Sequence, residues 1–119
     1  MHELAIAESV LQIARRHANG RRIVVVELKV GHLRQVVPSA LTFAFELLAQ
    51  ETEAEGAALV IEDVGAAGTC RTCGAETTLP EFPLQCARCG GLDIEVTEGE
   101  ELLVDSLELE EPETALTIN

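Results

Sequence analysis

A chain of 119 residues accommodates one domain of ordinary size plus a small appendage, and two full cores do not fit. Eight basic against 21 acidic residues give a formal charge of −13 at pH 7, which argues against nucleic acid and anionic membrane surfaces, since binding there depends on Lys and Arg displacing counterions. The composition is 47% hydrophobic with no Trp, no Tyr and three Phe, so the core must be built from Leu, Val, Ile and Ala. No apolar run approaches the roughly 20 residues that span a bilayer, and Met1-His2-Glu3 lacks the basic and apolar regions of a secretory signal. The expectation is a cytoplasmic protein.

From Leu4 onward, Leu4, Ala7, Leu11, Ala14 and Ala18 recur at helical spacing, with Ile6, Val10 and Ile13 beside them, and predict a helix over positions 3 to 18. Arg15, Arg16 and His17 place cations at the negative end of its dipole, where His17 is read as a capping residue, and Asn19-Gly20 supplies a C-cap. Ile23 to Val30 is β-branched and alternating, a strand with Val24, Val26, Leu28 and Val30 on one face. Gly31 closes it, and His32 follows as a surface-loop histidine.

Pro38-Ser39 opens a second helix reaching about Thr52, with Leu41, Phe43, Ala44, Phe45, Leu47 and Leu48 as a broad apolar face. Leu59 to Val64 is a second strand. After Gly65-Ala66-Ala67-Gly68 the periodicity stops, and a cysteine-bearing stretch runs to about Gly91. Leu102 to Leu109 resumes a strand pattern, with Leu103, Leu107 and Leu109 on one face and Leu102 and Val104 on the other. The acidic tail from Glu110 to Asn119, interrupted by Pro112, is expected to fray. These elements predict an α+β fold: two helices on a small, mostly antiparallel sheet of three strands, with a zinc-ribbon-like insertion. Residues 1–64 and 100–119 form the main domain, and residues 65–99 form the insertion. Because the last strand is tethered through that insertion, it could pair with a neighbouring chain in a domain-swapped homodimer.

Cys70-Arg71-Thr72-Cys73-Gly74 and Cys86-Ala87-Arg88-Cys89-Gly90 are two C-x-x-C-G knuckles with 12 residues between Cys73 and Cys86, and they account for every cysteine. Thiolates three residues apart converge on one metal ion when the chain turns tightly, and the glycine that follows permits the positive φ of such a turn. Four thiolates suit structural Zn²⁺, a closed site with no open catalytic position. Two disulfides would need an oxidising compartment. A rubredoxin-like iron site would use the same ligands but without the aromatic residues that usually wrap it, and a thioredoxin-type motif would carry one C-x-x-C.

At the other end, the Met1 α-amine with the His2 backbone nitrogen and imidazole can close consecutive chelate rings on one ion, with Glu3 filling a further position. That donor set suits square-planar Ni²⁺ or Cu²⁺. From spacing alone, a solvated histidine at a frayed terminus is the simpler reading. No nucleophile–base pair, phosphate-binding loop or matched carboxylate pair is evident, so no enzyme is expected.

Met1-His2-Glu3-Leu4, the segment Val30-Gly31-His32-Leu33 through Pro38 to Phe45-Glu46, the Glu55-Gly56-Ala57 step and the paired knuckles resemble, in this order, the HypA/HybF family. The resemblance extends from Met1 to about Glu110. It implies a nickel metallochaperone that helps mature [NiFe]-hydrogenase, and in some organisms urease, beside the nickel-handling GTPase HypB and the hydrogenase large subunit. It further implies nickel at Met1, His2 and Glu3 as transported cargo, and structural zinc at Cys70, Cys73, Cys86 and Cys89. Some members add an acidic side chain near the start of the second helix, whereas Val37-Pro38-Ser39-Ala40 carries none. The rival readings are a zinc-ribbon adaptor acting only through protein contacts, and a metallohydrolase that would need metal ligands beyond those identified.

Overall fold

A computed structural model of the chain describes residues 2–110; Met1 and the tail from Glu111 to Asn119 lie outside the described residues. Helix α1 spans Glu3–Ala18 and buries Ile6, Ala7, Val10, Leu11, Ala14 and Ala18 along one stripe. It ends as its sequence requires: Asn19 takes a left-handed conformation at φ 52°, and its amide bonds the Arg15 carbonyl at 3.2 Å. In the last turn, His17 Nδ1 hydrogen-bonds the Ile13 carbonyl at 3.0 Å.

The main sheet has the order β2-β1-β6, from β1 (Ile23–Gly31), β2 (Ala58–Val64) and β6 (Leu102–Leu109). It is mixed. Strands β1 and β2 run parallel, as strands joined by a helical crossover do, here α2 (Pro38–Ala49), while β6 returns antiparallel to β1. Antiparallel pairing therefore does not predominate, although the α+β class holds.

Two strand faces differ from the alternation read in the sequence, and bulges are the cause. Between Glu27↔Ser106 and Leu28↔Val104 the ladder skips Asp105, so Leu107 and Leu109 turn to the same side as Leu102 and Val104. Leu103 is left exposed. At the start of β1 a second irregularity buries Ile23 and exposes Val24, while Val26, Leu28 and Val30 face the core as expected.

Helix α2 stops at Ala49, short of Thr52, and its apolar girdle exceeds the surface available to cover it. Leu41, Ala44, Phe45 and Ala49 enter the core, but Phe43 (62% exposed) and Leu47 point away.

The cysteine-bearing stretch forms its own three-stranded sheet, order β4-β3-β5, from β3 (Ala67–Cys70), β4 (Glu76–Thr78) and β5 (Ile94–Glu98). This arm meets the α/β body where Gly31, Ala66 and Gly99 pass one another. The Gly31 amide bonds the Glu101 carbonyl at 2.6 Å, and the Leu33 amide bonds the Gly99 carbonyl at 2.9 Å. A Cβ on Gly31 would lie 2.1 Å from the Gly99 oxygen, so this crossing requires glycine.

Candidate metal centre

Each knuckle is closed by its own backbone. The Gly74 amide donates to the Cys70 carbonyl at 2.8 Å, and the Gly90 amide to the Cys86 carbonyl at 2.9 Å. Both glycines take the left-handed conformation that the turn needs, φ 76° and 77°. The Cys70 amide bonds the Ala75 carbonyl and the Cys86 amide the Gly91 carbonyl, both at 2.9 Å, so the two knuckles repeat one geometry. The second is anchored further by Thr77, buried on β4, whose Oγ1 accepts the Ala87 amide at 3.0 Å.

Facing each other, the knuckles bring four sulfurs within 4.8 Å of one another, and among the described residues no other group of three or more His, Cys, Asp or Glu converges in this way. Cys70 and Cys89 are separated by 3.5 Å and Cys73 and Cys86 by 3.7 Å, and all four thiols are free. A Zn–S bond of ~2.3 Å places tetrahedral sulfurs about 3.8 Å apart. The cluster therefore fits a tetrahedral thiolate-bound ion, at separations far beyond a disulfide bond of ~2.05 Å. Gly91 closes the shell, since a Cβ there would approach Cys89 Sγ to 3.2 Å.

The backbone prepares some sulfurs for metal and leaves another protonated. The Cys73 amide, assisted by that of Thr72 and opposed by burial, brings the Cys70 thiol down to about 6. At the matching position, the Cys89 amide lowers Cys86 against the same opposition. For Cys89 the largest single influence is the Gly91 amide, which favours the thiolate, but the three neighbouring cysteines and burial together outweigh it and push the thiol up to about 12. Metal entry must expel that proton.

The amino-terminal residues are placed differently. His2 is the exposed N-cap residue of α1, and its side chain makes no capping hydrogen bond. Glu3 turns back to the start of α2, where its Oε2 accepts the Val37 amide at 3.1 Å. Met1, the remaining member of the expected set, lies outside the described residues. His32 occupies a single 3₁₀ turn, His32–Arg34, and reaches the arm: its Nε2 lies 2.9 Å from the Pro80 carbonyl. It does not enter the cysteine cluster. The roles of Val37, Thr77, Pro80 and Gly91 were not apparent from local sequence, because each depends on a contact between distant segments.

Among the described residues, no helix is long and apolar enough to cross a membrane. The sequence model of the family described as "Hydrogenase/urease nickel incorporation, metallochaperone, hypA" matches residues 1–109. The chain is 46% identical over 110 residues to the hydrogenase maturation factor HypA of Geotalea uraniireducens, covering 92% of this chain and 100% of that protein. It is 41% identical over 113 residues to the HypA of Psychromonas ingrahamii, covering 92% and 99%. The solution structure of the nickel metallochaperone HypA from Helicobacter pylori superposes with a TM-score of 0.67 at 25% identity, over 92% of this chain and 97% of that one. The chain belongs to the HypA family of nickel-incorporation metallochaperones.

Proposed function

We propose that this chain binds Ni²⁺ at its amino terminus and delivers it during maturation of [NiFe]-hydrogenase, with urease as a further recipient, without itself catalysing a reaction. The Met1 amine, the His2 amide and imidazole, and Glu3 carry the cargo, and the four cysteines hold structural Zn²⁺. Residues 1–64 with 100–119 act as the nickel-handling domain and residues 65–99 as the zinc module. The work takes place in the cytoplasm, beside the GTPase HypB and the hydrogenase large subunit, and a homodimer is compatible with it.

The observation that carries the reading is the contrast between His2 and Glu3. Glu3 ties the first turn of α1 to α2, while the neighbouring His2 side chain stays out of the fold's own capping. An exposed imidazole on a fixed stub can chelate together with backbone nitrogen, a combination that favours Ni²⁺ or Cu²⁺. Counting nickel and zinc separately on the untagged protein, before and after His2→Gln, tests it: nickel should be lost and zinc retained.

A further inference from the structure

A cleft lies between the α/β body and the arm, a cavity of about 500 Å³. His32 and Asp63 project into it from the body, and Pro80, Glu81 and Phe82 close it from the arm. No Lys or Arg lines it, so an imidazole and two carboxylates share a cleft without a cationic partner.

The hydrogen bonding of His32 fixes its tautomer. A carbonyl oxygen can only accept, so the 2.9 Å contact with Pro80 requires the proton on Nε2. In the neutral ring the Nδ1 lone pair then faces Asp63 Oδ2 at 3.7 Å, one electron-rich atom against another. Protonation of Nδ1 removes the conflict by making an ion pair, and a metal cation between the two atoms removes it without charging the ring. Metal-bound histidines show this arrangement, with the second ring nitrogen donating to a backbone carbonyl. The separation fits as well: with bonds of ~2.0–2.2 Å, two donors on one ion stand about 2.9–4.2 Å apart, depending on the angle at the metal.

We propose that His32 Nδ1 and Asp63 Oδ2 form a second, weaker site for a divalent late-transition-metal ion, its shell completed by water. The site borders the amino terminus, because Val36 and Pro38 line the same cavity and the intervening Val37 amide is held by Glu3. It is placed to receive an ion leaving His2. Metal on Nδ1 also strengthens Nε2–H as a donor to Pro80, so occupancy is felt by the arm. The identity of the ion as nickel rests on the function proposed above, whereas the site itself rests on the cleft.

The test uses full-length, zinc-loaded protein carrying His2→Gln, titrated with Ni²⁺ and followed by ¹H–¹⁵N spectra that include the imidazole nitrogens. Paramagnetic broadening should appear around residues 31–35, 61–63 and 80–82. Adding His32→Gln should abolish it, and adding Asp63→Asn should weaken binding at least ~10-fold, with zinc content and melting temperature unchanged. Broadening that persists after His32→Gln overturns the site. So does a doubly protonated His32 that Ni²⁺ fails to displace, which would make the Asp63 contact a plain ion pair. If His2→Gln leaves a tight nickel event in place, the amino-terminal reading falls while the His32→Gln comparison still decides this one.

Discussion

The carboxylate of Glu3 accepts the backbone amide of Val37 at 3.1 Å, joining the first turn of α1 to the N-cap of α2 across 34 residues of sequence. That amide, followed by Glu3's own, holds the carboxyl below the ordinary glutamate value. A folded-state pKa that is depressed contributes stability fully present above the unfolded value, and the contribution disappears as pH falls through the folded one. The Val37 amide proton should therefore report an acid titration with a midpoint below that of a free glutamate. A midpoint at the ordinary value would show that the tie does not persist in solution.

Removal of one thiolate should dissolve the arm and spare the body. Leu79 is the one large aliphatic side chain fully buried in the arm, alongside Cys70 and Cys86, and burying it contributes about 1.5–3 kcal/mol. Structural zinc binding is worth roughly 10–16 kcal/mol, so an ion held by the four thiolates would dominate. In Cys73→Ala, amide resonances of residues 67–98 should collapse to unfolded positions while those of α1, α2 and the main sheet remain dispersed. A variant that keeps one zinc per chain, or one that unfolds throughout, contradicts the modular account.

The crossing of body and arm makes a sharp comparison between two glycines. At Gly31 an added Cβ meets backbone at 2.1 Å, whereas at Gly65 it meets nothing within 4 Å. Denaturant titration should show Gly31→Ala destabilised by about 1–3 kcal/mol and Gly65→Ala nearly unchanged. Equal effects would mean that the strands do not cross as described.

The two phenylalanines of α2 separate just as clearly. Phe45 is 1% exposed and Phe43 is 62% exposed. Phe45→Ala should cost about 3–5 kcal/mol, and Phe43→Ala should stay within ~0.5 kcal/mol, as read from shifts in the denaturation midpoint. A large cost at Phe43 would show that its face is covered in solution.

The contrast at α2 also marks where sequence reading stops. The 3.6-residue period gave α1 its observed limits, and the knuckle spacing alone brought Cys70, Cys73, Cys86 and Cys89 to one point, because both signals are local. Phe43 could not be assigned from α2 by itself, since exposure depends on how much of the girdle α1 and the sheet can cover. Leu107 was placed with Leu103 because alternation cannot register a bulge at Asp105. The arm's strands leave no such signal for another reason: Glu76-Thr77-Thr78 is too short and polar to show a period, and pairing with β3 and the Thr77–Ala87 hydrogen bond hold it in place. The His32 contact joins residues 48 apart and left no local trace.

The central claim is that nickel needs the amino-terminal amine and the His2 imidazole together, and isothermal titration of Ni²⁺ into zinc-loaded protein tests it most directly. Three forms are compared: the untagged chain, His2→Gln, and a chain extended by a few residues before Met1. Both changes should abolish the tight event, with zinc content and fold unchanged, because the buried stripe of α1 begins at Ile6. In the untagged chain, binding should weaken as pH falls, since nickel must displace protons from its nitrogen donors. Undiminished tight nickel binding in both altered forms would contradict the account.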